Sequence, residues 1–148
     1  MIDIDRFKSL NDSFGHDTGD EAIRRIGRVL REGTRGIDLA ARIGGEEFAV
    51  LLVETSRDGG YEVAERLRNA IKSIEIPKAR NVTASFGVAE CPTDAQTSVD
   101  ILKASDVALY EAKRNGRDRV VAMETAKSNS MTAGDVQSDG NLGVASRG

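Results

Sequence analysis

The chain has 148 residues, 39% hydrophobic, 30% charged and 4% aromatic, with no tryptophan, which is enough for one domain that buries its own core without disulfides or structural metal. Its 21 basic and 24 acidic residues leave a net charge of −3, so bulk charge argues for neither a nucleic-acid partner nor a membrane surface. A single cysteine, Cys91, excludes an intrachain disulfide and fits a reducing compartment; with no apolar run near the roughly 18–20 residues that cross a bilayer, a soluble, cytoplasmic chain without membrane contact is expected.

Residues 1–4 read as the end of a strand, with Asp3 and Asp5 flanking Ile4. Carboxylates this early at a strand end suggest that residues upstream have been lost. Phe7, Leu10 and Phe14 then recur at helical spacing until Gly15 stops them. Asp17 and Asp20 resemble N-terminal capping carboxylates of a second helix running to about Glu32. Its apolar stripe is Ala22, Ile23, Ile26, Val29 and Leu30, with arginines on the other face. Residues 37–43 read as a strand, Gly44-Gly45 as a tight turn using positive φ, and residues 48–53 as a return strand buried on both faces. A third helix spans about 58–74.

After Pro77, residues 82–88 alternate as a strand with one buried face. Ile101, Leu102, Ser105, Ala108, Leu109 and Ala112 mark a fourth helix closed by Gly116, and residues 119–123 a last short strand. From residue 124 to 148 the pattern ends in small and polar residues, which are expected to be disordered. The order predicts one domain over 1–123, a mixed central sheet flanked by helices, an α/β or α+β palm.

Four groups of residues could carry chemistry. Asp3, Ile4 and Asp5 at a strand end, with Lys8 one turn on, offer hard oxygen ligands for Mg²⁺ and a cation for phosphate. The same spacing fits a charged strand end that caps a helix. Gly44-Gly45-Glu46-Glu47-Phe48 places two carboxylates on a turn, where they could hold metal or accept a proton; an exposed hairpin with solubilising charges has the same pattern. Asn11, His16 and Asp20 could hydrogen-bond a purine edge, or be loop and cap residues. Lys113, Arg117 and Arg119 around Asn115-Gly116 could contact phosphate, or simply complement a helix C-terminus. Cys91, beside Pro92, reads as an ordinary small side chain.

Together these pieces are far more specific than any one alone. "IDIDRFKSLNDSFGHDTGDEAI" at 2–23 resembles the "DIDxFKxxNDxxGHxxGD" segment of the GGDEF family, and "ARIGGEEFAVLL" at 41–52 is similar to its signature loop. "VTASFGVA" at 82–89 and "ASDVALYEAKRNGRDRV" at 104–120 resemble its last central strand and last helix. The resemblance implies a fold akin to nucleotide cyclases and polymerase palms, and diguanylate cyclase activity: two GTP condensed to cyclic di-GMP across a homodimer. It implies Mg²⁺, or Mn²⁺, on Asp3, the carbonyl of Ile4 and Glu46. Glu46 would also accept the proton, with Glu47 and Lys8 beside it. Phe7, Asn11, His16, Asp20, Lys113 and Arg117 would bind substrate.

Arg35 and Asp38 form an RxxD motif ending five residues before the diglycine. The resemblance implies a product-inhibition site there, with Arg66 as a secondary contact. It also implies an upstream sensory or dimerisation domain. The family's "DxLTGLxNR" stretch is absent before the first strand, so the chain alone is expected to turn over poorly. The other reading of the same residues is an impaired domain that binds cyclic di-GMP as a receptor.

Overall fold

In the computed structural model, which describes residues 1–79 and 81–123, five strands form one mixed sheet. The strands are β1 (Ile2–Ile4), β2 (Leu39–Arg42), β3 (Glu47–Leu51), β4 (Ala84–Val88) and β5 (Val120–Ala122), in the order β2-β3-β1-β4-β5. β1 lies at the centre, antiparallel to β3 and β4, while β4 and β5 are parallel. The helices are α1 (Phe7–Phe14), α2 (His16–Glu32), α3 (Arg57–Lys72) and α4 (Ser98–Arg114). This is the expected palm-like mixed sheet with flanking helices. The stretch 124–148, expected to be disordered, lies outside the described residues.

Strand alternation sorts the layers. Ile2, Ile4, Phe48, Ala84, Phe86 and Val120 share one face, where they join Ala22, Ile26 and Leu30 of α2 and Ala64, Leu67 and Ile71 of α3 in the main core. Val121, one residue on, points the other way and packs with Ala108 and Ala112 of α4. α4 therefore covers the second face, chiefly over β4 and β5. Leu39 and Leu51, paired across β2 and β3, remain 60% and 62% exposed beside a trough of about 540 Å³ that Met1, Ala49, Gly87 and Leu102 help to line.

Three readings of the elements need correction. β3 is not buried on both faces: Phe48 is buried but Glu47 and Leu51 are exposed, because no described helix covers its second face. β4 is the strand covered on both sides; Ser85 is wholly buried, and a Cβ on Gly87 would stand 2.1 Å from the carbonyl oxygen of Ser105 and 2.3 Å from the amide nitrogen of Leu109. The diglycine turn uses no positive φ. Among the described glycines only Gly15 (φ +86) and Gly116 (φ +111) do.

Gly15 closes α1 and opens α2, and that backbone conformation is why α2 starts at His16 with Asp17, not Asp20, in its first turn. α3 and α4 start at side-chain caps, where the hydroxyls of Ser56 and Thr97 accept from the amides of Gly59 and Asp100. Met1 continues the ladder: its amino group donates to the Gly87 carbonyl at 2.8 Å, and the Gly87 amide donates back at 2.9 Å. Burial lowers that amine's pKa to about 6, against a smaller upward pull from Asp106.

Candidate active site

The end of β1 and the acidic turn lie side by side. Asp3 is paired in register with Glu47, and the Ile4 amide donates to the Glu46 carbonyl at 3.1 Å. Asp3 is a buried carboxylate, 6% exposed, on the α4 face. From the last turn of α4, Lys113 sets its Nζ 2.8 Å from Asp3 Oδ2. Glu46 feels the same charges. Loss of water raises its pKa most, the like charge of Asp3 raises it further, Lys113 pulls it down, and Glu47 adds to the rise. Asp3, Glu46 and Lys113 thus form one electrostatic cluster. Among the described residues, no three or more His, Cys, Asp or Glu side chains converge as a metal cage; the cluster has two carboxylates that feel each other's charge.

Arg42 holds the turn in shape. Its Nε donates to the Gly44 carbonyl at 3.0 Å and its Nη2 to the Gly45 carbonyl at 2.8 Å. A Cβ on Gly44 would come 2.5 Å from Glu47 Oε2, whereas Gly45 faces open space. The glycines serve close approach and access rather than backbone handedness. Arg42 was invisible as a turn clamp in the sequence, since arginine at a strand end is common on any surface.

Asp5, grouped with Asp3 by spacing, does different work. Its carboxylate accepts from Thr83 Oγ1 at 2.7 Å, Ser85 Oγ at 2.6 Å and the Asp118 amide at 3.0 Å. It ties β1 to β4 and to the segment after α4. Asp118 is itself held by Arg68 at 2.6 Å and Lys72 at 2.6 Å.

Asn11, on α1, turns its amide toward α2. Its Oδ1 is buried with no hydrogen-bond partner, an unusual state for a native polar atom. The approach is tight: a Cβ on Gly19 would fall 1.9 Å from that oxygen and 3.1 Å from Phe7 Cζ. Gly19 is thus a site residue that the spacing analysis overlooked; a glycine inside a helix was the available signal. Phe7 is a core side chain, 8% exposed, packed beneath this contact. His16 and Asp20 stand one turn apart on exposed α2 positions. Lys8 is exposed on α1, whose N-terminus has no side-chain cap because Arg6 sits there in a left-handed conformation (φ +54). Arg117, also left-handed (φ +64), lines a cavity of about 350 Å³ with Arg6, Ser9 and Asn81. Arg119 turns back to the Arg117 carbonyl at 3.1 Å.

Arg35 and Asp38 bind each other. Arg35 Nε and Nη2 reach the two Asp38 oxygens at 3.0 and 2.9 Å, and the Arg35 and Val53 amides donate to the same carboxylate at 2.9 and 3.0 Å. These donors hold the Asp38 pKa at about 2. The Asp38 side chain is 1% exposed and that of Arg35 56%. Arg66 joins the same loop through the Gly33 carbonyl at 2.7 Å.

Residues 1–119 match the sequence profile of the family described as "Diguanylate cyclase, GGDEF domain". Diguanylate cyclase A of Treponema denticola is 44% identical over 123 residues, which cover 81% of this chain and 33% of that protein. The chain thus spans about a third of the length of such curated relatives. Among solved structures, the active GGEEF domain of a Vibrio cholerae diguanylate cyclase superposes with a TM-score of 0.77 at 34% identity, over 82% of this chain and 79% of that one. The GGDEF domain of DgcB from Caulobacter crescentus, solved with c-di-GMP, gives 0.76 at 35% identity, over 83% and 75%. No helix among the described residues is long and apolar enough to cross a membrane.

Proposed function

The chain belongs to the GGDEF family of diguanylate cyclases, and from that membership and the geometry we propose that it is a catalytic domain that condenses two GTP into cyclic di-GMP. The observation that carries the proposal is the side-by-side seating of buried Asp3 and the Glu46 turn, joined by the Ile4–Glu46 hydrogen bond.

The cluster fits a divalent cation. Its donors are hard oxygens, and a cationic ammonium already sits against Asp3. Asp3, the Ile4 carbonyl and Glu46 would hold Mg²⁺ or Mn²⁺, with water completing the shell. When bound, the ion supplies Lewis-acid polarisation at the α-phosphate.

The remaining work belongs to the chain. Guanine presents N1–H and N2–H donors on one edge, and the unpartnered Asn11 oxygen with the Asp20 carboxylate are acceptors that suit it. Adenine presents an acceptor at N1, which explains a preference for GTP. His16 lies beside them. The uncapped N-terminus of α1, with Lys8, Lys113 and Arg117, receives the triphosphate. Glu46 takes the proton of a 3′-hydroxyl, with Glu47 adjoining, as the 3′-oxygen attacks the α-phosphorus of the second GTP and pyrophosphate leaves. A repeat of that step with the roles exchanged closes the ring. Each domain holds one GTP, so two must pair face to face, and proximity supplies much of the rate. Arg35, Asp38 and Arg66 would bind product and slow turnover.

The test uses the chain fused to a dimerising coiled coil, incubated with GTP and Mg²⁺. Cyclic di-GMP should accumulate and vanish in Glu46→Ala, while Arg35→Ala should keep synthesis but escape product inhibition. Binding of cyclic di-GMP without turnover would instead favour a receptor, and absence of both would sink the two readings together.

A further inference from the structure

Lys113 has two claims on it. It faces the place assigned to phosphate, yet its ammonium rests on the buried carboxylate assigned to the cation, at 2.8 Å. The two side chains are 31% and 8% exposed. The backbone beneath Lys113 is fixed: Ala108 and Ala112 are fully buried, and α4 lies directly on Gly87. Its four-carbon stem is the mobile part, and a lysine ammonium is a compact charge that changes partners readily.

Resting on the cyclase reading, we propose that Lys113 is a placeholder cation that couples metal binding to nucleotide binding. With the site empty of nucleotide, the ammonium neutralises Asp3 and competes with a divalent ion for it. A triphosphate offers Lys113 a richer set of anionic oxygens, so the ammonium moves there and Asp3 is released to the metal. Each ligand therefore raises the affinity of the other by the same factor, as linkage requires. The influence of Lys113 on Glu46 agrees, since the ammonium acts on both carboxylates. The coupling also keeps a bare metal ion from occupying the site before GTP arrives.

The experiment reads Mn²⁺ binding directly, by the loss of its free-ion electron paramagnetic signal, with and without a GTP analogue bearing a non-cleavable α,β-methylene bridge. Lys113→Met removes the charge and keeps the stem; Lys113→Arg keeps a charge in place. Without nucleotide, Lys113→Met should bind Mn²⁺ on the order of tenfold more tightly than the parent. It should also lose most of the gain in Mn²⁺ affinity that the analogue gives the parent, while Lys113→Arg stays close to the parent. Unchanged or weaker Mn²⁺ binding by Lys113→Met, or no binding by either protein without nucleotide, overturns the coupling. Asp3→Asn separates the two layers. If it leaves Mn²⁺ binding intact, the metal assignment itself is wrong; if it abolishes binding while Lys113→Met changes nothing, only the coupling falls.

Discussion

Carboxylates decide much of this molecule, and each is used differently. Asp3 is buried against one lysine, Asp5 is saturated by two hydroxyls and an amide, and Asp38 is surrounded by four donors from Arg35 and Val53. The Asp38 case has a measurable signature. A folded pKa near 2, below the ordinary 3.8, means that its contribution is present above the unfolded value and is lost only as pH falls toward 2. The Val53 amide should therefore show no titration step between pH 3 and 5 by NMR; a step near pH 4 would mean that the carboxylate is not so engaged. A product that needs Asp38 directly would have to displace these donors. In the proposed inhibitory site, Asp38 consequently aims the exposed Arg35 guanidinium, and Arg35 makes the contact.

The amine of Met1 loses stability in the same direction, toward acid, but in a higher pH window and because burial disfavours its charged form. Its pKa is lowered from 8.0 to about 6, so between those values the unfolded chain takes a proton that the folded chain refuses. Stability should fall by on the order of 2 kcal/mol as pH drops from 8 to 6. Urea unfolding at both pH values, comparing the free amine with an N-acetylated chain, isolates the effect. Equal pH slopes for the two would rule it out.

At the scale of elements, α4 packs on β4 backbone against backbone. Gly87 has helix backbone where a methyl group would go, and backbone cannot rotate aside as a side chain can. Overpacking usually costs about 1–3 kcal/mol, occasionally more; with three backbone atoms inside contact distance, Gly87→Ala should lose at least about 3 kcal/mol in denaturant unfolding. A loss under about 1 kcal/mol would show that α4 can shift without penalty. Such a shift would matter to the site, because α4 carries Lys113.

The elements themselves were largely legible: the apolar stripe of α2, the stop at Gly15 and the alternation from Val82 to Val88 each follow from local periodicity. Which faces are covered was not. β3 reads as apolar throughout and β4 as half polar, yet β4 is the enclosed strand. Ser85 can be buried because Asp5, 80 residues away, accepts its hydroxyl hydrogen bond, and no local pattern carries that information. The site shows the same division. Asp3, Glu46, Asn11 and Lys113 stood out in the motifs, whereas the Lys113–Asp3 pair, the Arg42 clamp and the Gly19 contact depend on how helices land on the sheet.

For the molecule as a whole, the central position of β1 governs assembly. Ile2 pairs with Phe48 on one side and Phe86 on the other. Asp3 and Asp5 find partners at residues 113 and 118. Loops this long are costly to close and slow to form. During synthesis β1 can pair with β3 early, but its β4 side and the partners of Asp3 and Asp5 wait for nearly the last of the sheet to emerge. A half-made chain therefore lacks the Lys113–Asp3 and Asp118–Asp5 contacts, however well its own helices have formed.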